Sequence, residues 1–388
     1  MRYTQVIAFL SLTAVCAAQT ADYLSDIKPV FKARCYACHG ALKQKADLRL
    51  DTAAAIRKGA KTDVVVVPGK PAESELLARV LSDDPEERMP PEGSLLKPQE
   101  VEAIRQWIGA GAPAPEHEEA EADPRDHWAF QVPEKVSLGK GEGNPIDILL
   151  EKNRASRSLK AQPLAERSIL IRRLYLDLIG LPPTRAQLND LRPWEEIVDE
   201  LLKNPQHGER WARHWMDIWR YTDWYGLGKQ LRNSQKHIWH WRDWIVESLN
   251  QDKGYDRMIQ EMIAADELAP EDPDALRATG FLARNYYLFN RTTWLDATIE
   301  HTGKALLGLT LNCAKCHDHK YDPISNVDYY RLRAIFEPHQ VRLDPVPGVM
   351  DFEKDGLPRV FDDHPDIKTY LHQRGDPKNP DKDREITP

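Results

Sequence analysis

Two short segments concentrate the residues best suited to cofactor chemistry. Residues 35–39 read Cys-Tyr-Ala-Cys-His and residues 313–317 read Cys-Ala-Lys-Cys-His, and together they contain four of the five cysteines. Two thiols at this C-x-x-C-H spacing can form thioethers to both vinyl groups of one porphyrin, and the adjoining histidine can bind the iron. The spacing therefore predicts covalent haem c at both segments.

The first motif predicts a complete set of haem ligands. Cys35 and Cys38 provide the two thioethers, and His39 provides the proximal ligand of the iron. A six-coordinate electron-transfer haem needs one more ligand, and Met89 is the candidate because it lies in the proline-stiffened segment 88–91. The alternative is that the Met89 side chain only packs in the core.

The second motif leaves several interpretations open. Cys313 and Cys316 with His317 predict a second haem c, but His319 follows closely and adds a fourth potential metal ligand. Two thiolates and two imidazoles can bind zinc tetrahedrally, and two thiols can also form a disulfide. Spacing does not identify the distal ligand of a second haem. The candidates are His319, His214, His207, His237, His240, His301 and Met216.

The N-terminal residues predict export. Residues 1–18 combine a positive Arg2, an apolar stretch over 6–15 and the small-residue sequence Cys-Ala-Ala, which is typical of a cleaved signal peptide. The apolar stretch is too short for a stable anchor and no second one follows, so we expect no integral membrane segment after cleavage. Because c-type haem is attached outside the cytoplasm, signal and motifs together favour a periplasmic or otherwise exported protein.

Composition narrows the functional classes. A chain of 388 residues with 41% hydrophobic residues predicts two or three globular units with real cores. The net charge of -8 argues against a nucleic-acid binder that neutralises phosphates.

No dinucleotide fingerprint, phosphate-binding loop or nucleophile elbow occurs, so an electron-transfer protein is favoured over an independent catalyst, and no catalytic residue is assigned. Carboxylates available for acid–base chemistry are Asp223, Asp243, Asp266, Glu267, Asp296 and Glu300.

Hydrophobic periodicity predicts a mainly α protein. The first unit, 21–113, resembles a small helical cytochrome c, with a helix over 23–34 that delivers Cys35, a short helix over 72–81 and a closing helix that begins near Lys97. A larger all-α unit spans 144–340. Its helices are predicted at 169–179, 194–202, 209–221, 237–250, 255–264, 293–309 and 328–336.

Two segments lack such periodicity. Residues 114–143 are acidic and proline-rich, so they predict a linker that stays solvated. Residues 341–388 are rich in Pro, Gly and Asp and predict an extended, loop-rich tail or linker.

Tryptophans form a stripe in the larger unit. Trp211, Trp215 and Trp219 recur every four residues and so share one helix face. Further tryptophans are Trp224, Trp239, Trp241 and Trp244. Such a stripe is most often core, but it could also wall a haem pocket or stack against sugar rings.

Three stretches of the first unit carry a family resemblance. Residues 46–51 (Ala-Asp-Leu-Arg-Leu-Asp), 67–74 (Val-Pro-Gly-Lys-Pro-Ala-Glu-Ser) and 87–91 (Glu-Arg-Met-Pro-Pro) resemble the planctomycete-type cytochrome c domain. The resemblance implies the two haem cysteines, the histidine and the methionine of that domain. These correspond here to Cys35, Cys38, His39 and Met89.

The larger unit resembles the domain that commonly follows it in planctomycete and verrucomicrobial proteins. That domain is of unknown function and is also named as cytochrome-like. The matching stretches are 210–215 (Arg-Trp-Ala-Arg-His-Trp), 241–245 (Trp-Arg-Asp-Trp-Ile), 278–281 (Ala-Thr-Gly-Phe) and 307–320, which contains the second motif. Longer relatives continue into a third, C-terminal domain, which is expected to be absent here.

These patterns lead to one main functional expectation and two alternatives. The main one is an exported di-haem electron carrier that receives electrons from a periplasmic oxidoreductase or from the absent C-terminal domain. In the first alternative, residues 144–340 act on carbohydrate as an enzyme and the N-terminal haem relays electrons. In the second, a zinc site at the second motif stabilises a polysaccharide-binding module.

Overall fold

The computed structural model describes residues 21–61, 64–91, 94–135, 143–223 and 236–388. The predicted signal peptide at 1–18 lies outside these residues, as does Trp224. The chain divides into two compact units. The first contains the described residues up to Glu134 together with Lys320–Pro323, and the second contains Lys135–His319 and Ile324–Pro388.

Short helices build the first unit. They are α1 (Lys28–Arg34), α2 (Tyr36–His39), α3 (Ala53–Lys58), α4 (Glu75–Leu81) and α5 (Pro98–Gly109), with a π-helical turn at Tyr23–Ile27 and 3₁₀ turns at Lys45–Asp47 and Pro71–Glu73. Helix α5 begins at Pro98, whose fixed φ suits a first helical residue and whose missing N–H is not needed there. The Glu100 carboxylate accepts a hydrogen bond from the Lys97 N–H (2.7 Å) and completes the start of the helix.

The core of the first unit joins its first and last helices. The fully buried Phe31 of α1 lies edge-on to Trp107 of α5, with ring centroids 6.0 Å apart, and Tyr23 lies 5.6 Å from the same indole. The indole N–H of Trp107 donates to the Pro113 carbonyl (2.8 Å). Because α1 is packed against the closing helix in this way, its C-terminal end is held by the core.

The acidic segment after the first core differs from the sequence-based expectation. The Glu118 side chain is only 7% exposed and forms an ion pair with Lys28. It also accepts hydrogen bonds from the Ala53 N–H (2.7 Å) and the Tyr23 hydroxyl (3.2 Å). The prediction that this segment stays solvated is therefore wrong at Glu118. Its carboxylate is buried because it binds the N–H at the positive N-terminus of α3 and the buried Tyr23 hydroxyl.

The second unit contains most of the helices. They are α6 (Pro145–Ser156), α7 (Arg167–Leu178), α8 (Arg185–Leu188), α9 (Trp194–Leu202), α10 (Pro205–Trp219), α11 (Trp239–Asn250), α12 (Tyr255–Leu268), α13 (Pro273–Leu276), α14 (Gly280–Ala283), α15 (Arg291–Thr302) and α16 (Asn326–Phe336). A π-helical turn at Gly303–Leu307 extends α15, and a 3₁₀ turn at Asn312–Lys315 precedes α16. Each helix predicted for this unit overlaps an observed one.

Aromatic residues fill the core of the second unit. Trp219, Trp241, Trp244 and Trp294 are at most 2% exposed. Gly280 at the start of α14 allows the backbone to approach Trp241 closely, since a Cβ there would lie 2.4 Å from the Trp241 Cβ. A glycine is therefore required where α14 crosses α11.

The tail forms strands where the sequence predicts extended loops. Strands β1 (His339–Asp344) and β2 (Leu357–Asp362) pair antiparallel, with Val341 opposite Val360, and β3 (Thr369–His372) pairs antiparallel with β4 (Pro380–Ile386). Within the described residues these pairs are two separate two-stranded sheets. Val341, Val360 and Ile386 join the aromatic core, so packing against the helices stabilises the strands.

The architecture as a whole agrees with the predicted fold class. In the part of the chain that the structure describes, helices dominate both units and the strands lie only towards the C-terminal end, so the mainly α prediction is confirmed. Among the described residues, no helix has the length and apolar character needed to cross a membrane.

Candidate haem sites

The end of α1 places the first motif in one turn of backbone. Cys35 follows α1 directly, and its N–H donates to the Phe31 carbonyl (2.8 Å). The Cys35 carbonyl accepts hydrogen bonds from the N–H groups of Cys38 (3.1 Å) and His39 (2.9 Å). Because Phe31 is buried, the core fixes the backbone that carries both thiols and the imidazole.

Both thiols of the first motif are unpaired and half-buried. Neither Cys35 nor Cys38 forms a disulfide. Burial raises the pKa of the Cys35 thiol to about 12, and the neighbouring Cys38 adds to the shift. Thioether formation adds a sulfur and a hydrogen across a vinyl group, so unpaired thiols are the form that haem attachment requires.

The imidazole of the first motif is incompletely hydrogen-bonded. The Nδ1 atom of His39 is buried and has no hydrogen-bond partner. Burial lowers the pKa of His39, although the backbone at Lys45 and Leu48 opposes the effect. A neutral imidazole offers a lone pair to a metal. The two free thiols and the imidazole share one turn, and the unsatisfied ring nitrogen leaves the His39 ring able to make a further contact, which fits a covalently bound haem.

Met89 lies outside the packed interior of the first unit. Its N–H donates to the Arg79 carbonyl at the end of α4 (2.9 Å), and its side chain is half-buried. Within the part of this unit that the structure describes, Met89 is not among the side chains of the hydrophobic core. The packing alternative gains no support from this placement, and ligation by Met89 stays a prediction.

Sequence reasoning assigned no role to a buried carboxylate close to the first motif. Asp51 is 1% exposed and accepts hydrogen bonds from Arg49 (Nε, 2.9 Å) and from the Glu121 N–H (2.9 Å). Burial raises the pKa of Tyr36 within the motif, and the Asp51 charge adds to that shift. Burial alone would raise the pKa of Asp51, but these hydrogen bonds hold it below its usual range. The alternation in residues 48–51, Leu-Arg-Leu-Asp, places Asp51 opposite Leu48 and Leu50 and would predict it exposed, so no local signal marks its burial.

The second motif is more exposed than the first. Cys313 lies in the 3₁₀ turn, and its carbonyl accepts hydrogen bonds from the N–H groups of Cys316 (3.3 Å) and His317 (3.4 Å). Both thiols are unpaired and exposed, as is His317. The His317 Nδ1 lies 2.7 Å from the Asp318 carbonyl, which would orient the ring and leave Nε2 for a metal. These residues also fit a haem.

Side chains from neighbouring helices hold the second motif. The amide of Asn326 donates to the carbonyls of Ala314 (2.7 Å) and Lys315 (2.9 Å), and the Tyr330 hydroxyl donates to the Lys315 carbonyl (3.2 Å). The Lys315 ammonium forms an ion pair with Asp296 of α15 (2.6 Å). The backbone between the two cysteines is thus fixed by polar contacts to α15 and α16.

The zinc interpretation gains no support from the geometry. His319 is 7% exposed, whereas Cys313, Cys316 and His317 are exposed. Among the described residues, no group of three or more His, Cys, Asp or Glu side chains is arranged to hold a metal ion. The second motif and His319 therefore do not form a ready zinc site.

Several candidate distal ligands have ring partners elsewhere. These are His207 with the Leu178 carbonyl, His237 with the Phe352 carbonyl and His240 with the Asp355 carboxylate. His214 lies edge-on to Trp211 (5.5 Å), and Met216 packs against the aromatic core. His301 has a buried Nδ1 without a partner, and burial lowers its pKa to about 4. The distal ligand of a second haem stays unassigned.

The tryptophans of the larger unit differ in burial, and within the stripe only Trp219 is buried. Trp215 stacks on Trp219 (5.0 Å), and Trp219, Trp241 and Trp244 are buried, whereas Trp211 is 38% exposed. The buried Trp219, Trp241 and Trp244 therefore cannot stack against sugar rings.

The candidate carboxylates are largely engaged in ion pairs. Asp296 pairs with Lys315, Glu300 with Lys304 and Asp243 with Arg242, and Asp223 also lies near Arg242. Burial raises the pKa of Asp266 to about 6, and the nearby Asp362 and Glu267 add to the shift.

Two family models match the chain. The model described as "PSCyt2: Protein of unknown function (DUF1549)" matches residues 145–341, about half of the chain, and "PSCyt1: Planctomycete cytochrome C" matches residues 35–93. No curated protein and no solved structure matches the chain. The matched order of domains confirms the resemblance expected from the sequence.

Proposed function

Because the chain belongs to the PSCyt2 (DUF1549) family and carries a planctomycete cytochrome C domain ahead of it, we propose that it is a di-haem electron carrier. The cytochrome domain makes it a c-type haem protein of a type associated with export. The proposal adds the second haem, a periplasmic location and a role in passing single electrons from an oxidoreductase or from a C-terminal domain of longer relatives.

One observation carries the assignment of the first haem: the first motif lies in a single turn at the end of a helix held by the core. Cys35, Cys38 and His39 share this turn, with both thiols free and the His39 Nδ1 buried without a partner. A bound haem supplies one-electron reduction and oxidation of its iron. The protein's own contribution is to fix the two attachment points and one axial imidazole, with Met89 as the proposed second axial ligand.

The second motif supports the second haem in a different way. Cys313 and Cys316 are free, and the contacts of Asn326 and Tyr330 hold the backbone between them. His317 has its Nδ1 directed at a carbonyl, which favours the orientation of an iron ligand. Exposure of this motif would place one edge of a haem near solvent, where a redox partner can approach.

Haem counting tests the proposal. The full chain is matured in a host with a haem-attachment system, and covalent haem is quantified by the pyridine haemochrome method against protein concentration. We expect two haems per chain. We expect one when Cys35 and Cys38 are both replaced by alanine, and one when Cys313 and Cys316 are. A count of one in the unmodified chain, unaffected by loss of Cys313 and Cys316, overturns the di-haem proposal.

Electron transfer is tested separately on the same protein. Stepwise reduction in an optically transparent cell should give two one-electron transitions, and a small-molecule electron donor should reduce both haems without any organic substrate. Reduction that requires a carbohydrate would instead favour the enzymatic alternative.

A further inference from the structure

The C-terminal hairpin β3–β4 lies directly against the second motif. Gly375 occupies the turn between these strands, with φ of +75°. A Cβ added there would lie 2.5 Å from the Cys316 Sγ and 3.3 Å from the Lys315 carbonyl oxygen. The turn therefore lies close against the Cys316 sulfur, and a glycine suits both its left-handed backbone conformation and the short approach.

The hairpin is fixed in this place by buried contacts. The Thr369 hydroxyl donates to the Glu337 carboxylate at the end of α16 (3.3 Å), and both residues are buried. The ring of Tyr330 lies 5.2 Å from the ring of His372, while its hydroxyl donates to the Lys315 carbonyl (3.2 Å). Tyr330 thus touches both the hairpin and the motif.

We propose that the β3–β4 hairpin positions the Cys316 thiol for attachment to haem, with Gly375 as the positioning residue. This inference rests on the proposed second haem. In the attachment step, the Cys316 sulfur bonds to one carbon of a vinyl group, the S–H and C=C π bonds break, and the thiol hydrogen goes to the other vinyl carbon. No oxidant or reductant is consumed. The hairpin limits where the sulfur can point and so favours one approach to the vinyl group.

The chain offers a matched control for Gly375. Gly348, in the connection between β1 and β2, has φ of +81° and no atom within 4 Å of an added Cβ. Gly375→Ala and Gly348→Ala therefore impose a similar backbone strain, but only the first introduces a collision. A difference between the two variants reports the contact with Cys316.

The test uses the matured full chain and peptide mass spectrometry of the second motif. We expect Gly375→Ala to lose the thioether at Cys316 and retain haem on Cys313 alone, while Gly348→Ala keeps both bonds. The haemochrome α band of the Gly375→Ala protein should then shift to longer wavelength, because one vinyl group stays conjugated with the porphyrin. Equal behaviour of the two variants overturns the inference.

A second measurement separates failure of this inference from failure of the second haem. If the unmodified chain holds no haem at the second motif, Cys313 and Cys316 are free thiols in the native protein. A small alkylating reagent should then modify Cys316 more slowly than Cys313, and Gly375→Ala should remove that difference, unlike Gly348→Ala. Equal rates in the unmodified chain overturn the hairpin contact itself, whether or not the variant folds.

Discussion

The buried carboxylate of Glu118 gives a direct test of how the segment after α5 stabilises the first unit. Replacing Glu118 with alanine removes an ion pair to Lys28 and the hydrogen bonds from the Ala53 N–H (2.7 Å) and the Tyr23 hydroxyl (3.2 Å). Tyr23 is 2% exposed, so its hydroxyl loses this partner inside the protein. The Ala53 N–H becomes an unpaired donor at the start of α3.

The magnitude follows from these contacts. A hydrogen bond to a charged group contributes about 1.5–3 kcal/mol, and the contributions overlap because the partners share one carboxylate. Lys28 is partly exposed and can be hydrated after the change, so loss of its ion pair contributes least to the destabilisation. We expect Glu118→Ala to destabilise the first unit by about 3 kcal/mol. In a domain of this size that corresponds to a fall in Tm of roughly 12–24 °C.

The assay must report the first unit within the full chain. Native-state hydrogen exchange of peptides that contain Phe31 and Trp107 measures the opening free energy of this core. Glu118→Gln keeps the shape and loses the charge, so it should lose about half as much. Glu119→Ala changes an exposed neighbour and should stay within about 0.5 kcal/mol of the unmodified chain. If Glu118→Ala matches Glu119→Ala, the carboxylate is solvated and the reasoning fails.

Two further predictions concern axial ligation and pH. Met89→Ala should remove the weak near-infrared band of a methionine-ligated ferric haem. The control Met350→Ala, at a residue that is 89% exposed, should leave the band unchanged. A band that survives in Met89→Ala excludes Met89 as the ligand. Burial lowers the pKa of His339 to about 4, so the folded ring stays neutral while the unfolded ring binds a proton near its ordinary pKa of 6.5. The contribution of neutral His339 to the free energy of unfolding is therefore fully present above pH 6.5. It decreases as the pH falls towards 4, by at most about 3 kcal/mol. Urea midpoints at pH 7 and pH 5 should therefore differ less in His339→Phe than in the unmodified chain, and an equal difference would contradict the assignment.

Helices were predictable because their signal is local. The predicted helix at 194–202 has the same limits as α9, where Ile197 and Leu201 are buried at a spacing of four. Strand β1 also alternates, with His339 and Val341 buried and Gln340 between them less so, but this pattern is short and follows a helix. Strand β4 is nearly all charged, so no local hydrophobic pattern marks it. Its place is set by pairing with β3 and by burial of Ile386 alone.

In the candidate sites, too, local sequence patterns predict some features, whereas tertiary contacts determine the others. Spacing alone predicts which residues can attach haem, since thioether chemistry depends on two thiols and an adjacent imidazole. The residues that hold the second motif carry no such local signal, since Asn326 lies in the following helix and Gly375 lies in a hairpin much further along the chain. Their roles depend on which backbone lies opposite, which is a tertiary property.

The two identical motifs are therefore held by different physical means. The first continues a helix whose apolar face is buried, so Phe31 and its neighbours fix the turn through packing. The second lies on an exposed 3₁₀ turn held by hydrogen bonds from Asn326 and Tyr330 and by the contact of Gly375 with Cys316. Packing is lost gradually when a side chain is trimmed, whereas a polar contact is lost with one group. Single substitutions at Asn326, Tyr330 or Gly375 should consequently impair haem attachment at the second motif more than trimming one core side chain impairs it at the first.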